Sequence, residues 1–380
     1  MANVFVLPPF IDHVLIHTNM NPVKLFSPIT LLALTLPALS TDSLPEKFAK
    51  RDRNKDGKLS REEVPASFAK FKFTQADRNK DGFLDKTEIE RVAQKLSAKE
   101  NSNPTGPINP VVPKTNTIRI YRDIVYRKDP KDTKGWNRLD LYLPKTKGFA
   151  TLLWIHGGGL HSGDKSKITE VAKRFVAEGC GVASVNYRLY PEVKYPTQIQ
   201  DVAQAFAWVH NNIAGKGGDP NLIFVGGGSA GGHLAALLAT NHSFLKEHGL
   251  KSDNIRGAIP ISGLMDVNRV GAERRKGIWG EDPDIYRTAS PLHHASKTAP
   301  PLLLMHAEHD TPDRRNQNQE MYDALIKAKH GNVEIHELKN RTHNNIRPHL
   351  AGRNDPGANL ILAFLKKHSA HKAALPKKQK

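Results

Sequence analysis

Cysteine is all but missing from the sequence. Cys180 stands alone in 380 residues, so the chain can form neither an internal disulfide nor a thiolate metal site. Within Gly179-Cys180-Gly181-Val182-Ala183 it reads as an inert thiol on the approach to a buried strand. Aromatic residues are few at 7%, and the apolar run Ile29 to Leu39 is too short for a comfortable membrane span. No cysteine follows that run for lipid attachment, so no stable membrane insertion is expected. Acidic residues are outnumbered, with Lys+Arg 56 against Asp+Glu 38, giving a formal net charge of +18. Such a balance invites a polyanionic partner. Yet no nucleic-acid motif accompanies it, and part of it sits in a tail holding Lys366, Lys367, Lys372, Lys377, Lys378 and Lys380. Nucleic-acid binding is therefore not expected.

What is present is the composition of a globular protein: 38% hydrophobic and 25% charged residues, enough to bury a sizeable core. At 380 residues a main domain plus a smaller module is the starting expectation. Five segments can be read. Residues 1–40 form a leader with a signal-peptide layout: Met20, then Lys24, the apolar run, and the small residues Ala38 and Ser40 near a cleavage point. This layout places the translation start at Met20 and predicts a secreted or periplasmic protein. Residues 41–100 hold a polar internal repeat, residues 101–116 a proline-rich spacer, residues 117–368 the long domain and residues 369–380 the basic tail.

The repeat carries a specific signal. Asp52, Asn54, Asp56, Lys58, Ser60 and Glu63 occupy positions one, three, five, seven, nine and twelve of an EF-hand loop. Asp77, Asn79, Asp81, Phe83, Asp85 and Glu88 do the same in a second loop. Side-chain oxygens, a carbonyl at the seventh position (Lys58, Phe83) and a bidentate glutamate at the twelfth suit calcium, a hard cation. Gly57 and Gly82 permit the sharp turn at the sixth position. Leu59 and Leu84 fall at the eighth, where paired loops make a short two-stranded contact, so the two hands should fold together as a small all-α module. Two calcium ions with a structural role are expected. The basic residues inside the loops argue against high affinity.

From Ile118 onward, short apolar runs alternate with amphipathic stretches, the pattern of a doubly wound, mostly parallel α/β sheet. Candidate strands are Leu152–His156, Val182–Asn186, Leu222–Gly226, Ala258–Ser262, Leu302–His306 and Val333–Leu338. Candidate helices lie near Lys165–Glu178, Thr197–Asn212, Ala230–Thr240 and Arg314–Lys329. Runs at Ile118–Tyr126 and Leu139–Leu143 should form an antiparallel edge. Ligands of such sheets bind at the carboxyl ends of the strands.

Gly227-Gly228-Ser229-Ala230-Gly231 fits Gly-x-Ser-x-Gly between an apolar strand and a helix, the setting of a nucleophile elbow with Ser229 as nucleophile. His156-Gly157-Gly158-Gly159 follows another strand, and the N–H groups of Gly158, Gly159 and Ala230 can converge on an oxyanion. His156 itself reads as a loop-orienting residue. The triad order in this fold is serine, acid, histidine. Asp310, after a late strand, is the candidate acid, with Asp313 and Glu308 as rivals. His343, in the loop after the next strand, is the candidate base, ahead of His349 and the strand residue His336.

Together with Leu139-Asp-Leu-Tyr-Leu-Pro144, His156-Gly-Gly-Gly-Leu-His-Ser-Gly-Asp-Lys165, Asn186-Tyr-Arg-Leu-Tyr-Pro-Glu192, Tyr195-Pro196 and Asp201-Val202, these motifs resemble the carboxylesterases related to hormone-sensitive lipase. Within that group the segment from about Tyr121 to Lys366 is similar to α/β-hydrolases of the feruloyl-esterase and acetyl-esterase type. The resemblance implies a serine esterase acting on short or aromatic acyl esters, including esters on carbohydrates, with no cofactor needed for the chemistry. Two departures stand out: Gly228 where the group usually carries an acid, and His306-Ala307 where it usually has His-Gly. A serine peptidase of the same fold, or a calcium-dependent binding protein on an inactive hydrolase fold, are the alternative readings. A fluorophosphonate probe for Ser229 separates the binding reading from the enzyme readings.

Overall fold

The apolar runs downstream of residue 117 assemble into one eight-stranded sheet with the order β1-β2-β4-β3-β5-β6-β7-β8. The computed structural model describes residues 51–64, 73–91 and 118–370. The leader, the spacer and residues 371–380 of the basic tail lie outside them. The strands are β1 (Ile118–Val125), β2 (Arg138–Pro144), β3 (Phe149–Ile155), β4 (Gly181–Val185), β5 (Gly218–Gly228), β6 (Gly257–Ile261), β7 (Leu302–His309) and β8 (Val333–Thr342). β1 pairs antiparallel with β2, and β2 with β4, which is the antiparallel edge the sequence predicts; every later pairing is parallel.

Helices cover both faces, as the near-continuous apolar strands of a parallel sheet require. On one face α1 (Thr169–Ala177) buries Val171 and Phe175, and α7 (Pro356–Ala370) buries Ile361 and Phe364, against Leu152, Val182 and Phe224 of the sheet. On the other, α2 (Thr197–Asn212) supplies Val202 and Phe206, α3 (Ala230–Thr240) supplies Leu234 and Leu237, and α6 (Pro312–Lys327) supplies Met321 and Leu325. Every residue of α3 is buried, consistent with an apolar surface all round. Two further helices, α4 (Ala272–Trp279) and α5 (Pro283–Ala289), follow β6 and were not foreseen from the sequence.

Helices α2 and α3 occupy the predicted residues. The stretch expected to be helical at Lys165–Glu178 divides into a 3-10 turn, Lys165–Ile168, and α1, because the Asp164 side chain caps the turn by accepting from the Ser166 N–H. β5 begins at Gly218 rather than Leu222, since Gly218 pairs with Phe149 ahead of a register shift. β8 runs on past Leu338 to Thr342, paired along β7 as far as His309↔Thr342.

In the N-terminal module the eighth-position contact is formed. Leu59 N–H donates to Leu84 O at 3.0 Å and Leu84 N–H to Leu59 O at 2.9 Å. Leu59, Val64, Phe73, Ala76, Leu84 and Ile89 close a small core around that bridge.

Candidate active site

The elbow owes its shape to crowding that only glycine tolerates. Ser229 sits between β5 and α3 with φ 59° and ψ −117°, a left-handed conformation costly for a residue with a side chain and typical of strain held at a functional turn. A Cβ on Gly227 would lie 2.3 Å from Ile155 O, and one on Gly231 2.0 Å from the same oxygen. The turn is fixed by Ser229 N–H donating to Ile261 O (2.8 Å) and His233 N–H donating to Ser229 O (2.9 Å).

Residues from three strand ends meet there. His343, directly after β8, places Nε2 2.9 Å from Ser229 Oγ and Nδ1 2.6 Å from Asp310 Oδ1, so the three side chains form one hydrogen-bonded chain. Asp310, directly after β7, is buried, and its other oxygen accepts from Ser262 Oγ and, at 3.3 Å, from Ala307 N–H. Burial alone pushes the Asp310 carboxyl up. The hydrogen bond and charge of His343, with the Ser262 and Ala307 donors, outweigh that and hold it below the usual carboxylate range.

The rivals lie elsewhere. Asp313 accepts from Gln317 Nε2 at 2.7 Å, and Glu308 accepts from Lys339 Nζ and Asn340 N–H on the exposed side of β8. His349 is buried against Asn345 O, and His336 faces Glu334 from within the strand. Cys180 is buried and its thiol is pushed up to about 12 by desolvation, as an inert core residue should be.

Gly158 (φ 116°) and Gly159 (φ 68°) turn the main chain beside the elbow in backbone conformations that suit glycine. Gly159, Ala230, Ser229 and His343 line a common cavity of about 250 Å³. Among the described residues no main-chain acceptor takes up the N–H groups of Gly158, Gly159 or Ala230, which leaves them free for an incoming oxygen. His156 holds this loop: its ring stacks on Tyr187 at 4.3 Å, its Nδ1 meets Gly157 O at 2.8 Å, and Tyr187 Oη donates to His156 O. Desolvation lowers its pKa to about 4, so it is neutral at physiological pH.

The glycine at 228 has a physical reason. A Cβ there would stand 2.1 Å from Arg347 Cδ, so the arginine fills the space an acidic side chain would need. Ser262, Arg274, Arg314 and Arg347 all border the site and were not singled out from the sequence. Ser262 alone had a signal, since it directly follows β6, where α/β ligands bind.

The EF-hand loops are held by hydrogen bonds from main-chain N–H groups to their own side-chain oxygens. Gly57 N–H donates to Asp52 and Gly82 N–H to Asp77, while Lys58 N–H and Phe83 N–H donate to the fifth-position Asp56 and Asp81. Glu63 and Glu88 reach back across their loops to the N–H groups of Arg53 and Arg78. Asn54 and Asn79 each accept from the fifth-position N–H, Ser60 Oγ donates to Glu63, and Asp85 accepts from Glu88 N–H. Asp77 Oδ1 is buried without a partner, as expected of an oxygen aimed at a cation. No three described His, Cys, Asp or Glu side chains converge closely enough to hold an ion by themselves. An EF-hand does not require that, because Asn, Ser and a main-chain carbonyl share the coordination.

Comparison with known proteins agrees with both halves. The BD-FAE family model matches residues 139–325, and an EF-hand model matches 46–64 and 72–93. Esterase LipQ of Mycobacterium tuberculosis is 31% identical over 223 residues, 55% of this chain and 52% of that protein. Esterase LipC of the same organism is 30% identical over 240 residues, 58% and 59% of the respective chains. The chain thus spans between half and three fifths of the length of these relatives. A truncated carbohydrate esterase from gut microbiota shares the fold, with TM-score 0.58 and 21% identity over 68% of this chain and 99% of its own. Esterase B from a Lactobacillus, in complex with a tributyrin phosphonate, gives TM-score 0.59 at 19% identity over 74% of this chain and 94% of its own. Sheet order and elbow give the C-terminal domain the α/β-hydrolase fold, its residues 139–325 are similar to the BD-FAE family, and an EF-hand pair precedes it.

Proposed function

We propose that the protein is an exported serine esterase in which Ser229 attacks the ester carbonyl, His343 takes the serine proton and Asp310 orients and charge-stabilises the imidazole. The observation that carries this reading is the hydrogen-bonded chain from Asp310 through His343 to Ser229 on a strained elbow. Relatives named as esterases support ester over amide chemistry. In the first half-reaction the Ser229 Oγ–carbonyl bond forms, the tetrahedral oxygen accepts from the N–H groups of Gly159 and Ala230 with Gly158 adjacent, and His343 returns the proton to the leaving alkoxide. In the second, water attacks the acyl carbon while giving a proton to His343, and the acyl–Oγ bond breaks as His343 returns that proton to Ser229 Oγ, releasing the acid. Calcium in the EF-hands is structural and takes no part in acyl transfer. Short or aromatic acyl esters, including those on carbohydrates, are the substrates that the family resemblance favours.

The test is hydrolysis of para-nitrophenyl esters from acetate to decanoate by wild type and Ser229→Ala, alongside fluorophosphonate labelling. Loss of at least about a thousandfold in kcat, with loss of labelling, is expected. A folded wild-type protein that neither labels nor turns over any ester would overturn the reading in favour of a binding role.

A further inference from the structure

The cavity at Ser229 carries positive charge that the acyl-transfer chemistry does not call for. Its wall includes Arg274 of α4, Arg314 of α6 and His233, together with Gly159, Ser229 and His343. The two guanidiniums come from separate elements and neither makes an ion pair with a described carboxylate. Arg274 donates one hydrogen bond, from Nη2 to Gly159 O at 2.9 Å, and its Nε has no partner. Arg314 Nη1 is buried and also unpartnered. Both arginines are half-buried, and the charge of both acts on the buried His233. His233 Nδ1 is engaged by Leu264 O at 2.9 Å, so it brings no negative charge to balance them.

Two neighbouring cations partly withdrawn from water with no carboxylate at ion-pair distance are unfavourable on their own, and desolvation outweighs the longer-range pull of Asp310 and Asp313 on Arg314; such sites are retained where something anionic completes them. Guanidinium forks match a carboxylate or other planar oxyanion in two parallel hydrogen bonds. Asp310 has its oxygens committed to His343, Ser262 and Ala307 N–H, and Asp313 is engaged by Gln317 and Arg269, so neither carboxylate pairs directly with Arg314. The missing anion therefore comes from outside the chain.

Building on the esterase reading, we propose that the natural substrate is an ester bearing an anionic group, a carboxylate or its equivalent, held by Arg314 and Arg274 while Ser229 attacks the ester carbonyl. The anion sits either on the acyl part, as in a dicarboxylic monoester, or on the alcohol, as in an acylated acidic sugar. Arg274, which also tethers the oxyanion loop through Gly159 O, couples occupancy of the anion site to the position of the N–H groups that receive the oxyanion. Arg314 makes no such tether and reports on the anion alone.

The full chain is assayed with two matched pairs. Mono-4-nitrophenyl succinate against 4-nitrophenyl butyrate exchanges a methyl for a carboxylate on the acyl side. Then 4-acetoxybenzoate against phenyl acetate adds the charge on the alcohol side. The wild type should favour the anionic member of one pair by about tenfold or more in kcat/KM, and the pair that responds identifies the side. Arg314→Gln should bring that ratio towards one, Arg314→Lys should retain part of it, and added salt should weaken it. Anionic members no better than neutral ones in both pairs, or a ratio unmoved by Arg314→Gln, would overturn the proposal. So would an equal loss on charged and neutral esters, which would assign the arginines to the oxyanion instead. If the wild type turns over none of the four, the esterase reading fails. The anion site is then judged by calorimetric binding of succinate, which must be present in wild type and lost in Arg314→Gln for the proposal to stand.

Discussion

Ser262 reaches the chemistry only through Asp310, yet it supplies one of the two donors that keep the far carboxylate oxygen satisfied. Without it the carboxylate loses stabilisation of its charged form and its pKa rises. Ser262→Ala is expected to lower kcat by about tenfold and to move the acid limb of the kcat/KM profile to higher pH, with Ser262→Thr restoring both. A merely structural serine would leave the limb in place. The neutral histidines give a second prediction. His156 and His233 are buried, and desolvation lowers each to about 4 from an ordinary value of 6.5. The unfolded chain protonates them first as pH falls, so their contribution to stability is complete above about 6.5 and is lost progressively down to about 4. Each contributes up to ~1.4 kcal/mol per pH unit in that window. The melting temperature of the hydrolase domain should fall between pH 6.5 and 4.5, and His233→Gln should flatten the slope.

Secondary elements differ in how openly the sequence announces them. Helices α2 and α3 could be placed to the residue because a strand-to-helix turn or a proline marks one end and the apolar pattern stops at Asn212 and Thr240. Ser229 and Asp310 were legible for a related reason, since each directly follows a strand with a clear apolar run, and His343 because it lies in the loop after the next strand. The end of β8 was not, because it is an edge strand with half-exposed side chains and its pattern lapses at Leu338 while its pairing continues. Arg274, Arg314 and Arg347 were also illegible, since nothing in a charged residue on a polar helix tells which cavity wall it will join. Motif residues that carry the family resemblance serve in part as scaffolding. Asp140 of the Leu-Asp-Leu-Tyr-Leu-Pro stretch pairs with Lys165 at 2.7 Å, and Asp201 holds Arg188 in a two-pronged ion pair. The elbow itself yields a prediction at this scale. Gly228→Asp, which restores the acid usual in related esterases, collides with Arg347 and should cost several kcal/mol and most activity. Adding Arg347→Ala opens the space, so the double variant should melt higher than Gly228→Asp alone. Equal melting temperatures in thermal denaturation would show that the arginine side chain is not the obstacle.

Across the whole molecule, two units with different sources of stability share one chain. The hydrolase-fold domain has two large apolar cores, one on each face of its sheet. The EF-hand pair has a core of six described residues around the Leu59–Leu84 bridge, too small to offset chain entropy by itself. Its carboxylates are drawn into two loops where their mutual repulsion is relieved only in part, as by Lys58 reaching Asp81 at 3.3 Å. A bound cation would supply the remaining compensation, so calcium affinity and folding of the module should be a single equilibrium. Chelation should therefore remove a low-temperature transition in calorimetry, while the main transition and hydrolysis of a small neutral ester change little. Glu88→Gln, which removes charge from the bidentate twelfth position, should weaken calcium binding at least about tenfold and reproduce the effect of the chelator on that transition. Loss of ester turnover on chelation, in parallel with loss of the first transition, would instead mean that the calcium module supports the catalytic domain directly.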